Sequence, residues 1–151
     1  MTNTGNINSY KVLYQILKNI KTPIYYALGN HDKKLSFNKV FRNINSEEPL
    51  FYNHIIEDLN LIVLDTSVSG KVSGEISDEQ FEFLSNCLTQ NKQMQSLIMM
   101  HHPPKFSMSS PNWISLDEKS TTKLKSKLAN QNILAIAVSY THLTLPTKRI
   151  V

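Results

Sequence analysis

The sequence predicts a layered α/β domain built on a mixed sheet. Short apolar runs have the length and composition of buried strands, and they alternate with segments whose apolar residues recur at helical spacing. One pair of runs indicates a hairpin, whereas the other runs are separated by predicted helices, and this alternation is typical of α/β layers. At 151 residues the chain is one domain or a piece of one.

The first third of the chain contains a predicted loop, a helix and a strand. Residues 1–9 are polar and are expected to form a loop, and residues 10–20 carry apolar side chains at helical spacing. Pro23 ends this helix, because proline cannot continue it. The apolar run 24–28 follows as a predicted buried strand, and residues 33–45 predict a short amphipathic helix or loop.

Two neighbouring runs, 50–56 and 59–64, predict a β-hairpin because only Glu57 and Asp58 separate them. The second run is continuous in apolar residues, so we expect it to be deeply buried. A loop rich in serine and glycine begins at Asp65. A role for Asp65 in a site is open, but a hydrogen bond to the backbone of the next few residues is the simpler interpretation.

Helices and strands alternate in the remaining part of the chain. Residues 77–80 form a capping box, with serine at the cap and glutamine three residues on, which predicts the start of a helix. The apolar run 97–100 predicts a buried strand. Residues 115–118 form a second capping box that opens a helix to about Asn130, and a final strand begins over 133–137.

Composition and charge argue against several classes of protein. No apolar run reaches about 18 residues, so no membrane span is predicted. Cys87 is the single cysteine, which excludes an internal disulfide, favours a cytoplasmic setting and suggests simple packing. The net charge of +4 is mild, and the lysines of 119–127 follow one another without aromatic residues. A solvated helix face is therefore favoured over a nucleic-acid surface.

Two predicted strands run into histidine. One leads into residues 29–32, Gly-Asn-His-Asp, and the other into residues 101–104, His-His-Pro-Pro. Strand ends of one sheet lie side by side, so these groups can converge, and imidazole with carboxylate and amide oxygens suits a divalent metal. A second interpretation stays open at this point, in which the histidines are hydrogen-bonded surface residues and 29–32 is only turn chemistry. His54, in mid-strand among aromatic residues, is not expected to be a ligand.

The two motifs, about 70 residues apart, together resemble the calcineurin-like metallophosphoesterases. The stretches 62–66 and 72–80 resemble their class III cyclic-nucleotide phosphodiesterase branch, and the likeness covers roughly residues 2–137. It implies a partial four-layer α-β-β-α sandwich of two sheets flanked by helices. It also implies a metal-dependent phosphoester hydrolase acting on a 3′,5′-cyclic nucleotide such as cAMP. Two divalent ions, of iron, manganese or zinc, would be bridged by an aspartate and a hydroxide.

The resemblance assigns a role to each polar residue of the two motifs. Asn30, through its side-chain oxygen, and His101 would be ligands of the second metal ion. His31 would sit over the substrate phosphate and either stabilise charge or protonate the leaving oxygen. Asp32 would orient His31 and keep it protonated, and His102 would support the ligands from just outside them.

The sequence also departs from the family pattern. An early Asp-x-His pair, the Gly-Asp pair that supplies the bridging aspartate and a late Gly-His-x-His motif are not found in it. Met1 stands where the residue after that Gly-Asp pair would be, and the tail resembles translated sequencing-adapter read-through, which would make His142 a decoy ligand. We therefore expect residues 1–137 to be a partial metallophosphoesterase domain, and residues 138–151 to be a non-native tail.

A truncated site and sheet would have consequences for activity and stability. The chain retains ligands for only one metal ion, and two neutral ligands should bind it weakly. A sheet without its first strands would expose edges, so an inactive and poorly stable fragment is expected. Two alternatives stay open: a general phosphomonoesterase or nuclease of the same superfamily, and a non-catalytic scaffold that has lost its metal site. The expected partner is a small phosphodiester or nucleotide, not a membrane or a nucleic acid.

Overall fold

The computed structural model describes residues 1–105, 110–111 and 113–139. Its strands are β1 (Tyr52–Ile56), β2 (Leu59–Val63), β3 (Gln95–Met99) and β4 (Ile133–Ala137). Its helices are α1 (Ile7–Leu17), α2 (Lys34–Phe37), α3 (Asp78–Gln90) and α4 (Glu118–Leu128), with a π-helical turn, Asn38–Arg42, directly after α2. Within these residues no helix has the length and apolar character needed to cross a membrane.

The four strands form one mixed sheet in the order β1-β2-β3-β4, which confirms the predicted α/β class. Strands β1 and β2 pair antiparallel, with Tyr52 opposite Val63, so the predicted hairpin is confirmed. Strand β3 joins β2 in parallel and β4 joins β3 in parallel, each after a connection that contains a helix. The carboxyl ends of β2, β3 and β4 therefore lie together at one end of the sheet. A second sheet is not present among the described residues, and the four-layer sandwich stays a prediction.

The main core lies between one face of this sheet and helices α3 and α4. Its fully buried members come from strands and helices alike; they include Ile62, Ile98, Leu84 and Leu124. Burying one such side chain stabilises the fold by about 1.5–3 kcal/mol, so this layer holds the three parallel strands in place. Cys87 is buried in the same core, as packing alone predicts.

A second, smaller core cluster supports the other side of the site. It consists of Tyr10, Leu28, Phe37 and Leu50, and the ring of Phe37 stacks on that of Phe41 at 4.9 Å. These side chains come from α1, the 24–28 run, the α2 region and the segment before β1. The cluster therefore fixes the segment that leads into residues 29–32.

The run 24–28, predicted as a strand, is not part of the sheet. The Tyr26 backbone N–H donates to the Tyr52 hydroxyl at 2.8 Å, and the same hydroxyl donates to the Tyr26 carbonyl at 3.1 Å. A phenol thus binds both backbone groups that a neighbouring strand would bind. Only Leu28 of this run is fully buried, and residues 24–27 are half-buried, so the prediction of a buried strand was wrong for most of it. Strand formation also requires a partner backbone, which the apolar pattern does not reveal.

Two helix starts follow their capping residues. Helix α1 begins at Ile7, earlier than predicted, because the Asn6 side chain accepts from the Ser9 N–H at 2.9 Å. Helix α3 begins as predicted, with the Ser77 hydroxyl accepting from the Gln80 N–H at 3.3 Å. In both cases a side-chain oxygen satisfies a backbone donor that the helix itself leaves unpaired.

Helix α4 is capped by Asp117 and not by the predicted Ser115. The Asp117 carboxylate accepts from the Ser120 N–H at 2.7 Å, and the helix begins at Glu118. The carbonyl of Ser115 instead accepts from the Gly74 N–H at 3.0 Å, and the Gly74 carbonyl accepts from the Asp117 N–H at 2.9 Å. These two bonds form an isolated parallel bridge between Gly74 and Leu116. The chain is therefore not helical through residue 116, and the cap moves two residues along the chain.

We expect Asp117→Ala to lower the free energy of unfolding by about 1 kcal/mol, because the Ser120 N–H loses its acceptor. Asp117→Asn keeps an acceptor oxygen and should retain most of that stability. The midpoint of urea denaturation measures both changes. An equal loss in the two variants would contradict the capping role.

Candidate functional site

Residues 29–32 form a tight turn at the end of the 24–28 run. The Asp32 N–H donates to the Gly29 carbonyl at 3.0 Å and closes the turn. The Asp32 carboxylate folds back and accepts from the Gly29 N–H at 2.9 Å and from the Tyr10 hydroxyl at 2.5 Å. The turn is thus held from inside by its last residue, while His31 stays exposed at its surface.

Asp32 was predicted to orient His31, but the two side chains bind other partners. The Nδ1 atom of His31 lies 3.0 Å from the carbonyl oxygen of Asn3, which can only accept, and the Asp32 carboxylate binds other donors. Burial alone would raise the pKa of Asp32, but hydrogen bonds from Tyr10, Gly29 and the Met1 ammonium, with the charge of that ammonium, together outweigh it and lower that pKa. Asp32 does not reach His31 because the turn directs its carboxylate towards the Gly29 N–H. Asp32 therefore shapes the turn, and Asn3 orients His31.

The second motif meets the first at the end of β3. The Nε2 atom of His101 lies 3.0 Å from Oδ1 of Asn30, so two residues separated by 71 positions are in contact. Gly29 permits this approach, because a Cβ atom there would lie 2.6 Å from two atoms of the His101 ring. The structure therefore brings together the two side chains predicted to be metal ligands.

The protonation state of His101 suits a ligand. Burial, followed by the neighbouring His102, lowers the pKa of His101 to about 4. The ring is therefore neutral at pH 7, and neutral imidazole is the form that binds metals. A neutral nitrogen and an amide oxygen in contact, from His101 and Asn30, fit part of the coordination of one divalent ion. In the part of the chain that the structure describes, no three His, Cys, Asp or Glu side chains cluster as a metal site.

His102 is fully buried beside His101, and the two rings meet edge to face at 4.7 Å. Its Nε2 lies 2.9 Å from the carbonyl of Val72, and its Nδ1 lies 2.8 Å from the hydroxyl of Thr66. Because a carbonyl only accepts, Nε2 carries the proton and Nδ1 accepts from the hydroxyl. Burial lowers the pKa of His102, which agrees with a neutral ring.

The end of β2 is fixed by a buried amide side chain. The Gln80 side chain accepts from the Asp65 N–H at 2.8 Å and donates to the Asp65 carbonyl at 2.9 Å. The Asp65 carboxylate accepts from the N–H groups of Leu50 and Ser67, each at 3.0 Å. The local backbone hydrogen bond predicted for Asp65 is confirmed, and the amide of Gln80 binds this strand end.

A pocket of about 290 Å³ opens beside the turn. Asn30 and His31 line one part of it, and residues 67–70 line another. Lys34, which also lines it, donates to the Ser67 carbonyl at 2.7 Å and lies 3.6 Å from the Asp65 carboxylate. The lining carries charges of both signs, because Lys33 and Lys34 stand beside Asp32 and Glu47. The exposed imidazole of His31 is the polar group of this pocket that can donate to a phosphate ester.

Several residues of this site were not predicted from the sequence. Thr66 and Gly74 lie in the stretches that carry the class III likeness, so a signal for them existed. Tyr10 was recognised only as part of an apolar helix face, and nothing in the pattern marked Lys34. His142 lies outside the described residues, and the predicted domain limits stay predictions.

No protein-family model matches the chain, but curated proteins do. "Probable glycerophosphodiester phosphodiesterase GpdQ" of Arcobacter nitrofigilis is 31% identical over 107 residues, which cover 69% of this chain and 39% of that protein. "Probable cyclic nucleotide phosphodiesterase" of Rhodococcus erythropolis is 29% identical over 109 residues, covering 69% and 36%. A "cAMP/cGMP dual specificity phosphodiesterase" of Mycobacterium tuberculosis is 31% identical over 112 residues, covering 74% and 33%. The chain belongs to the same family as these phosphodiesterases.

The names of these relatives refer to the hydrolysis of small phosphodiesters. The chain spans only 39% and 36% of the length of the first two relatives.

Proposed function

We propose that this chain supplies part of the active site of a metal-dependent phosphodiesterase acting on a 3′,5′-cyclic nucleotide, with cAMP as the first candidate. The observation that carries the proposal is the 3.0 Å approach of His101 Nε2 to Asn30 Oδ1, beside a pocket lined by His31 and Lys34. The names of the relatives in Rhodococcus and Mycobacterium support the substrate class. The proposed fold of the whole is the four-layer metallophosphoesterase sandwich.

The chain's own residues would divide the work at this site. Asn30 and His101 would hold one of two divalent ions of iron, manganese or zinc. Such ions, when bound, neutralise phosphoryl oxygens and lower the pKa of water. His31 donates its Nδ1–H to the Asn3 carbonyl, which leaves Nε2 to face the substrate. Nε2 would donate to the phosphate or protonate the leaving oxygen only from the imidazolium form of the ring, in which both nitrogens carry a proton. Asp32 keeps the turn in shape.

Hydrolysis by this polypeptide alone is expected to be undetectable, because two neutral donors hold an ion weakly. A glycerophosphodiester is the alternative substrate, supported by the name of the Arcobacter relative. A non-catalytic scaffold is the alternative from another class. It is supported by the absence of any three-residue His, Cys, Asp or Glu cluster among the described positions. No observation favours a phosphomonoesterase or a nuclease.

Zinc titration followed by NMR tests the half-site on the chain itself. We expect saturable shifts of the His101 ring signals, weakened at least about tenfold by Asn30→Ala, because a ligand oxygen is lost. His54→Ala changes an exposed histidine on β1 and should leave the titration unchanged. Equal affinity in the wild-type chain and Asn30→Ala would contradict the assignment of Asn30.

A chimera tests the catalytic part of the proposal. The matched segment of this chain would replace its counterpart in the Mycobacterium relative, and cAMP and a glycerophosphodiester would be assayed with manganese. We expect hydrolysis that prefers cAMP, and a fall in kcat of at least about a hundredfold for His101→Ala. Hydrolysis that survives His101→Ala would exclude the proposed site. A preference for the glycerophosphodiester would replace cAMP with that compound as the assigned substrate.

A further inference from the structure

We infer that Thr66 and His102 are positioning residues that anchor the loop of residues 67–72, which forms one wall of the phosphodiester pocket. This inference deepens the proposed function and rests on it for the identity of the ligand. Neither residue lines the pocket of about 290 Å³, whereas residues 67–70 do. The two buried side chains would therefore act on the substrate only through the loop.

One hydroxyl fixes His102 at two points. Thr66 Oγ1 accepts from the His102 backbone N–H at 3.2 Å and lies 2.8 Å from Nδ1 of the same residue. The Thr66 hydroxyl donates its single proton to Nδ1 and accepts from the backbone N–H with its oxygen, so it satisfies both groups at once. Thr66 and His102 are both 0% exposed, so water cannot replace either bond without opening the core.

The imidazole then reaches across the loop. Its Nε2 donates to the carbonyl of Val72 at 2.9 Å, although the Val72 side chain itself is half exposed. The neck of the loop is closed by the Glu75 N–H, which donates to the Thr66 carbonyl at 3.1 Å. Gly74 adds a steric limit, because a Cβ atom there would overlap the His102 ring. The loop is thus held at its beginning and at its end by one buried ring.

The tip of the loop has no comparable support. A Cβ atom on Gly70 would meet nothing within 4 Å, and Ser69, Gly70 and Lys71 are exposed. Ser67 is also held directly, since it donates to the Asp65 carboxylate and its carbonyl accepts from Lys34. The anchors behind the loop are therefore expected to matter most for the position of residues 68–70. This wall lines the same pocket as Asn30 and His31, so it would limit the ester group that a bound phosphate carries.

Hydrogen exchange on the whole chain tests the anchor. Thr66→Val removes the hydroxyl at similar volume, and Thr66→Ser restores it. We expect Thr66→Val to raise exchange of the amides of residues 67–72 at least about tenfold more than that of the core strands, and Thr66→Ser to return it towards wild type. The matched control is Ser120→Ala, which removes another buried hydroxyl that accepts from the Ile76 N–H at 3.0 Å. Ser120→Ala should not raise the amide exchange of residues 67–72 more than that of the core strands.

Two readouts separate this inference from the proposed function. If Thr66→Val raised amide exchange equally throughout the chain, or if Thr66→Ser did not restore the exchange of the loop, the anchoring role of Thr66 would be overturned. Neither result depends on catalytic activity. In the active chimera we expect Thr66→Val to raise KM for cAMP at least about fivefold while kcat changes less than about twofold. An unchanged KM would overturn the assignment of the loop to the pocket. A wild-type chimera without hydrolysis would instead count against the proposed function.

Discussion

Gly29→Ala is expected to separate Asn30 from His101 and to remove the zinc-dependent shift of the His101 signals. The added Cβ atom would lie 2.6 Å from two ring atoms of His101, a distance that real Cβ contacts essentially never show. Backbone hydrogen bonds hold the chain at this point, from the Met100 N–H to the Ala137 carbonyl and from the Ser139 N–H to the His101 carbonyl. The ring would therefore relieve the clash by rotating about its side-chain bonds, away from Asn30. Overpacking of this kind costs about 1–3 kcal/mol of unfolding free energy.

A double-mutant cycle with His101→Ala isolates that clash. Removing the ring opens the space that the new methyl group needs, so Gly29→Ala should cost at least about 1 kcal/mol less in the His101→Ala background. Urea denaturation of the four proteins supplies the values. Additive costs would show that Gly29 is required for the turn alone and not for the approach of the histidine.

Gln80→Met is expected to destabilise the chain by about 2–5 kcal/mol, because two buried backbone groups lose their partners together. The Gln80 amide binds both the N–H and the carbonyl of Asp65, at 2.8 and 2.9 Å, and methionine has a similar length but no comparable donor or acceptor. The effect should also reach the pocket, since residue 65 leads into the loop of residues 67–72. Thermal and urea unfolding measure the loss.

Two further variants give that prediction its controls. Gln80→Glu keeps an acceptor for the Asp65 N–H but, when ionised, places a buried charge against the Asp65 carbonyl, so it should destabilise the chain at least as much as Gln80→Met. Gln90→Met makes the same change at an exposed position of α3 and should shift stability by less than about 0.5 kcal/mol. Similar stability of Gln80→Met and Gln90→Met would refute the role given to the buried amide.

The sequence was sufficient where the signal is local. The hairpin followed from two apolar runs with two polar residues between them, and α3 followed from Ser77 at its cap. The meeting of Asn30 and His101 could be anticipated because each follows an apolar run that ends abruptly. The rule that side chains gather at strand ends holds for His101, which follows β3. Asn30 follows a run outside the sheet, so there the predicted meeting is correct but the predicted strand is not.

The sequence was insufficient where a residue's partner is far away and several partners are chemically equivalent. The Asp32 carboxylate could in principle bind His31 or other donors. The direction of the turn places it against the Gly29 N–H and the Tyr10 hydroxyl. The 24–28 run has the composition of a strand, yet strand pairing depends on a neighbour that composition does not specify. Ser115 and Asp117 are both good caps, and the bridge to Gly74 selects the second.

The Tyr52 hydroxyl described above gives the 24–28 run an unusual kind of edge. A strand neighbour can leave only if its own hydrogen bonds break along a ladder, but a phenol can leave by rotation about its side-chain bonds. One change of rotamer would uncover the N–H and the carbonyl of Tyr26 together. Access to these two backbone groups is therefore governed by a single side chain, and it can change without any unfolding of the sheet.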